Sequence, residues 1–366
     1  MLLESLSVLN YRNIGQSDLD FLQGINCFVG DNGAGKTNLL DSIYYLSFCK
    51  SFFNTIDSQN IKHNEGFFVI QGTYEKFGQK EEVYCGVKLN QKKQFKRNKK
   101  EYTRLSDHIG LIPLVFISPS DEQLILSGSE IRRKYMDGVI SQYDNHYLDI
   151  IIRYNRILLQ RNKLLKDLNG RKTIDWNVLE AFDQQMEGYA KQIYQKRSGF
   201  IKELLTVFQR HFNEISGGNE EVDIIYHSHL EDEDYLKQLK ATHQRDMLLG
   251  YTSKGIHKDD LEFILNSFLL KKEGSQGQKK TFAISLKLAQ FDFLANHQKV
   301  KPILLLDDIF DKLDDKRGRS LVKLVAEDHF NQIFITHTNK NHLNAILAET
   351  GKDFRLFDVN NGAINS

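Results

Sequence analysis

The run Gly30-Asp31-Asn32-Gly33-Ala34-Gly35-Lys36-Thr37 matches G-x-x-x-x-G-K-[ST] at every fixed position. An apolar stretch over 25–29 leads in, and Leu39, Leu40, Ile43 and Leu46 give a helical face leading out. The run therefore sits between a predicted strand and a predicted helix, the context that this phosphate-binding loop requires. Glycines at these positions let successive backbone N–H groups turn inward around phosphate oxygens. The helix N-terminus adds its partial positive charge. Lys36 is expected to neutralise the β- and γ-phosphates of a nucleotide, the Thr37 hydroxyl to ligate Mg2+, and Asn38 to belong to the same nucleotide-binding set.

Such a loop needs a strand-end carboxylate to complete the magnesium site. Ile303 through Leu306, followed by Asp307-Asp308, is the best candidate. Four apolar residues predict a strand in a sheet core, with the acids emerging at its C-terminal end, where α/β sites lie. Asp307 is expected to hold Mg2+, directly or through water, and Asp308 to orient or deprotonate an attacking water. Lys36 and Asp307 lie near opposite ends of the chain. Compact GTPases and kinases do not need that separation; a fold that inserts a whole domain between its nucleotide motifs does.

Upstream of the acids, Gly274-Ser275-Gln276-Gly277-Gln278-Lys279-Lys280 precedes an amphipathic helix. Ser275-x-Gly277-Gln278 looks like the signature motif of ABC-type ATPases. A Ser hydroxyl, a Gly N–H and a helix N-terminus make a second anion site. One phosphate loop already occupies one side of a nucleotide, so this site would serve a nucleotide held by another protomer, and ATP would join two heads. Asp311-Lys312-Leu313-Asp314 resembles the D-loop of that class. Phe334-Ile335-Thr336-His337 ends a predicted strand on a histidine that resembles the switch residue sensing the γ-phosphate.

The elements that must position these groups follow from periodicity. Short apolar runs at 25–29, 67–70 and 113–117, separated by Gly, Asn and Asp, predict strands. Tyr147, Ile151, Tyr154, Leu158, Arg161, Leu165 and Leu168 mark one helix face, and Leu179, Phe182, Met186, Ile193, Phe200, Leu204 and Phe208 mark a second. Asn169-Gly170 breaks the first helix. Strands return at 302–306 and 332–335. The expected fold is α/β: a P-loop ABC-type ATPase head with mixed sheets, built from 1–116 and 250–366, and an inserted, mainly helical lobe or short arm over 117–249.

Composition is consistent with this. The chain has 366 residues, 40% hydrophobic and 27% charged, with a net charge of +1, so any nucleic-acid surface must be a local patch. Three prolines argue against long disordered linkers. Cys27, Cys49 and Cys85 are an odd set without a C-x-x-C pair, against a secreted disulfide framework. No stretch approaches the ~18 apolar residues of a spanning helix, and the N-terminus lacks signal-peptide organisation. A cytoplasmic protein without a membrane partner is expected.

Together these residues resemble the RecF family of bacterial gap-repair and recombination-mediator ATPases. Leu6-x-x-x-Asn10-Tyr11-Arg12-Asn13 looks like that family's opening strand, which implies that Arg12 and Asn13 lie near the nucleotide base or ribose. Phe116-Ile117-Ser118-Pro119, Leu124 and the stretch Ile131-Arg132-Arg133-Lys134-Tyr135-Met136-Asp137 are similar to its entry into the helical lobe. Gly255-Ile256-His257-Lys258-Asp259-Asp260-Leu261 resembles its G-P-H-R-D-D-L segment, departing at Ile256 and Lys258. The resemblance implies ATP and Mg2+ as cofactors, an ATP-dependent homodimer, and binding to double-stranded DNA and to gapped or junction DNA. It also implies RecR- and RecO-like mediator partners, recombinase loading, replication restart and a part in the DNA-damage (SOS) response. Weak, DNA-stimulated ATP hydrolysis would drive release. Asp308 stands where many ABC proteins carry Glu, one carbon longer, so slow turnover is expected. The family shares its head with SMC and Rad50 proteins; the alternative of a structural, DNA-organising head would call for a long coiled coil, which 117–249 cannot supply.

Residues 88–104 carry eight cations (Lys88, Lys92, Lys93, Lys96, Arg97, Lys99, Lys100 and Arg104) against Glu101, with Phe95 and Tyr102 interleaved. This run suits phosphate-backbone contact, with Lys92, Lys93, Lys96, Arg97, Lys99 and Lys100 as the candidate DNA-binding residues; the plainer alternative is a solvated hairpin face. In the lobe, Arg153, Arg156, Arg161, Lys163, Lys166, Arg171 and Lys172 add positive charge.

Overall fold

A computed structural model describes residues 1–168, 176–231, 234–309, 315–325, 329–348 and 351–365. The expected D-loop, Asp311–Asp314, and the break at Asn169-Gly170, with Arg171 and Lys172, lie outside them. The first third holds β1 (Leu2–Tyr11), β2 (Ile14–Asp20), β3 (Gly24–Val29), α1 (Lys36–Phe48), β4 (Phe67–Lys76), β5 (Gln79–Lys88), β6 (Gln94–Arg97), β7 (Lys100–Glu101) and β8 (Leu114–Ile117). The middle holds α2 (Gln123–Leu126), α3 (Ser129–Tyr143), α4 (Asn145–Leu168), α5 (Trp176–Ser216), β9 (Val222–His227), α6 (Tyr235–Leu249), β10 (Asp260–Leu265), β11 (Phe268–Leu269) and α7 (Leu270–Glu273). The last part holds α8 (Gln276–His297), β12 (Ile303–Leu306), α9 (Asp315–Val325), β13 (Gln332–His337), α10 (Lys340–Ala348), β14 (Phe354–Asn360) and β15 (Ala363–Asn365). Among the described residues no helix is long and apolar enough to cross a membrane.

The chain divides into two units. The first comprises 1–122, 210–219 and 275–366. It contains an antiparallel sheet ordered β2-β1-β4-β5-β6-β7 and a second sheet ordered β15-β14-β3-β13-β12-β8, in which β14, β3, β13, β12 and β8 run parallel. Parallel strands covered on both faces read as unbroken apolar runs, and β8 and β12 are buried at every position. One core cluster draws on both sheets and α1, with Tyr11, Phe28, Phe68, Phe95, Phe116, Phe334 and Phe357 fully or almost fully buried. Phe21 packs edge-on against Phe334 at 4.9 Å and Phe357 at 5.7 Å.

The second unit comprises 123–209 and 220–274. Its boundary differs from the one expected at residue 250 because β10 pairs along its length with β9, from Asp260↔His227 to Leu265↔Val222. Residues 210–219 pack in the first unit, where Phe212 meets Phe282 at 6.1 Å and His211 Nε2 lies 2.8 Å from Asp292 Oδ2. Ion pairs made by buried arginines organise the second unit. Arg197 donates to Asp259 at 2.7 Å and to Asp137 at 3.0 Å, and Arg132 grips Asp260 with two bonds of 2.6 and 2.9 Å. The stretch 131–137 and the segment 255–261 are therefore joined to each other by charge. Arg161, expected among the lobe's cations, is wholly buried and bonds Asp183 at 2.7 Å and Asp246 at 3.0 Å. A guanidinium removed from water needs paired carboxylates, so it adds nothing to a nucleic-acid surface.

Candidate nucleotide site

β3 delivers the loop Gly30–Thr37 to the N-terminus of α1, and two of its glycines hold backbone that other residues avoid. Gly33 has φ +81° and Gly35 has φ +119°, where a Cβ would also come within 2.9 Å of the Asn13 side chain. At Gly30 a Cβ would stand 2.1 Å from the Val359 carbonyl oxygen, so close approach of β14 excludes any side chain. Lys36 is almost fully buried, and its ammonium donates to the carbonyls of Gly30 at 2.8 Å and Asp31 at 3.1 Å.

Parallel pairing of β12 with β8 and β13 brings Asp307 to the same place. Thr37 Oγ1 donates to the Asp307 carboxylate at 2.9 and 3.0 Å. Burial pushes the Asp307 carboxyl up to about 6; hydrogen bonds from Thr336 and Thr37 and the charge of Lys36 oppose this, while Asp308 adds to it. A hydroxyl beside a buried carboxylate is the hard-oxygen donor set that suits Mg2+. Asp308 adopts φ +44°, a conformation in which Asp is less costly than most residues. Its N–H donates to Thr336 Oγ1 at 2.9 Å, and that hydroxyl donates in turn to Asp307 Oδ1 at 2.8 Å. Thr336 thus clamps both acids. Sequence reasoning singles out His337 and passes over Thr336, because a threonine inside a strand carries no signal until its neighbour strand is known.

His337 ends β13 opposite Val29 of β3, and the Gly30 N–H donates to its carbonyl at 3.3 Å. Arg12, at φ +53°, reaches Asn38 at 3.2 Å, Ser51 at 3.0 Å, Asn60 at 3.2 Å and Asp41 at 3.1 Å. Asn13 donates to the carbonyls of Ala34 at 3.1 Å and Gly33 at 3.3 Å and accepts from Asn38 at 2.8 Å. The pair therefore braces the loop and the first turn of α1. Ser275 is exposed and caps α8: its Oγ accepts from the Gln278 N–H at 3.2 Å while its own N–H donates to Gln278 Oε1 at 2.7 Å, a capping box. Gly277 lies in that first turn.

The basic run does not form one patch. β6 pairs with β5 from Gly86↔Gln94 to Val83↔Arg97, so Lys92 lies beyond one end of β6 and Lys99 and Lys100 beyond the other. Lys93 turns inward to Asp57 at 2.8 Å and the Cys49 carbonyl at 2.7 Å, at the C-terminus of α1. Arg97 forms a bidentate pair with Glu81, and Lys96 lies 5.5 Å from the Tyr84 ring centroid. Lys92, Lys99 and Lys100 are exposed.

A family model described as RecF/RecN/SMC N terminal domain matches residues 2–364. The DNA replication and repair protein RecF of Bacteroides fragilis (strain YCH46) is 53% identical over 366 residues, spanning 100% of this chain and 98% of that protein. A solved structure of the recombination mediator protein RecF with ATPrS, in the RecFOR pathway, superposes with a TM-score of 0.88 at 30% identity, covering 100% of this chain and 97% of the other. The Smc head domain from Pyrococcus furiosus, with an extended coiled coil, shares the fold at a TM-score of 0.59 and 16% identity, covering 99% and 95%.

Proposed function

The chain belongs to the RecF family, and on that premise we propose that it is an ATP-dependent DNA-binding switch in recombinational gap repair and replication restart. The observation that carries this reading is the Thr37–Asp307 contact, which joins the phosphate loop to a buried strand-end acid. Backbone N–H groups of Gly30–Thr37 would cradle the phosphates, with Lys36 released from the Gly30 and Asp31 carbonyls to meet the β- and γ-oxygens. Thr37 and Asp307 would hold Mg2+, which when bound neutralises charge on the β- and γ-phosphate oxygens. Asp308, aimed by Thr336, orients or deprotonates the attacking water, and His337 senses the γ-phosphate. Arg12 and Asn13 keep the loop in register with α1, next to the ribose or base.

The exposed Ser275 turn, with Gly277 and Gln278, would face a nucleotide held by a second copy, so ATP bridges two heads. DNA contact, double-stranded and near gaps or junctions, falls to Lys92, Lys96, Lys99 and Lys100; Lys93 and Arg97 are engaged by Asp57 and Glu81. RecR- and RecO-like mediators would act on the ATP-bound dimer, and weak, DNA-stimulated hydrolysis would release it.

Nucleotide affinity, mass in solution and gapped-DNA binding, measured with ATP and with ADP, test this. Lys36→Met should lose nucleotide affinity. Ser275→Arg should keep that affinity and fail to pair heads, with no more than ~1 kcal/mol of lost stability from the cap. Equal dimerisation in ATP and ADP, or normal ATP-dependent DNA binding by both variants, sinks the switch.

A further inference from the structure

His337 is buried, and both of its ring nitrogens have partners. The backbone N–H of Asn339 donates to Nδ1 at 3.1 Å. A backbone N–H is only ever a donor, so Nδ1 offers its lone pair and, in the neutral ring, the proton resides on Nε2. That nitrogen lies 3.0 Å from Nδ1 of His342, with the two rings nearly perpendicular at 80°. Asn339 also accepts from the His342 N–H through its side-chain Oδ1 at 3.0 Å, capping the first turn of α10. One residue thus sets the tautomer of His337 with its backbone and the placement of His342 with its side chain. The Gly30 N–H donates to the His337 carbonyl, so the end of β13 that carries this histidine adjoins the first residue of the Gly30–Thr37 loop.

We propose that His342 is a latch on His337: it accepts the Nε2–H that a γ-phosphate oxygen would otherwise receive, and yields it when a triphosphate fills the loop. This rests on the nucleotide reading above. His342 is a positioning residue, acting through His337 and gaining nothing from a diphosphate, which has no γ-oxygen to compete for the proton. The donor is satisfied in both states, which gives the switch a defined off position instead of a buried, unpaired N–H. His342 itself is exposed, so its replacement leaves the core intact.

Calorimetric titration with a slowly hydrolysed ATP analogue and with ADP, both with Mg2+, tests the latch. His342→Ala should bind the analogue about five-fold more tightly, the worth of one neutral hydrogen bond, with ADP affinity unchanged. His342→Asn, which returns an acceptor to the Nδ1 position, should behave like the parent. In a His337→Gln background, His342→Ala should have no effect. Unchanged or weaker analogue binding by His342→Ala, equal tightening of ADP, or an effect that survives His337→Gln overturns the latch alone. A parent that binds neither nucleotide overturns the latch and the nucleotide reading together.

Discussion

Thr336 illustrates how one hydroxyl can hold two neighbouring acids at once. It is fully buried, donates to Asp307 and accepts from the N–H of Asp308, whose backbone is in the left-handed region. Thr336→Val keeps the shape and removes both bonds, leaving a buried N–H without its acceptor. A loss of about 1–3 kcal/mol in stability is expected. Under the proposed role of Asp308, its aim is lost while the Gly30–Thr37 loop is untouched, so equilibrium affinity for ATP should stay within about two-fold and single-turnover hydrolysis should fall at least about ten-fold, the size of loss that follows from misplacing a reacting group. Parallel losses in affinity and turnover would instead mark Thr336 as a general prop of the sheet end. The strand-end placement of the Gly30–Thr37 loop, Asp307 and His337 was legible in the sequence because each is a local pattern: a glycine spacing, or an apolar run that ends in a polar residue. Thr336 was not, because its partners lie 28 and 29 positions away in sequence and meet it only through β12–β13 pairing.

The same limit separates lysines that look alike along the β5–β6–β7 hairpins. Charge density predicts a phosphate-binding run over 88–104, yet it cannot say which side chains find carboxylates elsewhere. Lys93 finds Asp57 and a helix-end carbonyl, a favourable place for a cation beside the C-terminus of α1. Lys99 occupies φ +68° in the turn after β6, next to Asn98 at φ +50°. That conformation favours Asn or Gly, and holding a lysine there costs free energy. The helices of the lobe were legible from their periodicity, whereas the burial of Arg161 was not, since Asp183 and Asp246 come from α5 and α6. Lys99→Gln with Lys100→Gln should weaken DNA binding and reduce the slope of log affinity against log salt by about 1.8 for duplex, at ~0.9 per phosphate contact. Lys93→Met should leave that slope unaltered and lower the melting temperature. A salt slope that responds to Lys93→Met and ignores the turn lysines would move the DNA contact to the other end of β6.

Each unit also carries a neutral histidine whose protonation the fold resists. In the first, burial pulls the His108 imidazole down to about 4, and its nitrogens bond the Leu46 carbonyl at 2.7 Å and the Tyr102 hydroxyl at 3.0 Å. In the second, burial lowers His257 to about 4, with partners Tyr154 at 2.9 Å and the Thr252 carbonyl at 2.9 Å. An unfolded histidine takes its proton near pH 6.5, so between about 6.5 and 4 the unfolded chain binds more protons than the folded one. The stability these rings contribute is therefore complete above pH 6.5 and is lost as the pH falls toward 4, by roughly 3 kcal/mol for the fully buried His108. Asp307 acts in the opposite sense: with its carboxyl raised to about 6, the protonated folded form is favoured, and its contribution is lost as the pH rises through 6. The two trends overlap, so the parent's pH profile alone does not separate them. His108→Gln does, because an amide can donate to the Leu46 carbonyl and has no proton to gain. Urea unfolding at pH 7, 5.5 and 4.5 should show the variant less stable than the parent at pH 7 and the gap closing as the pH falls. A gap that stays constant across the three would mean that His108 is held by packing alone and that acid unfolding of this chain begins elsewhere.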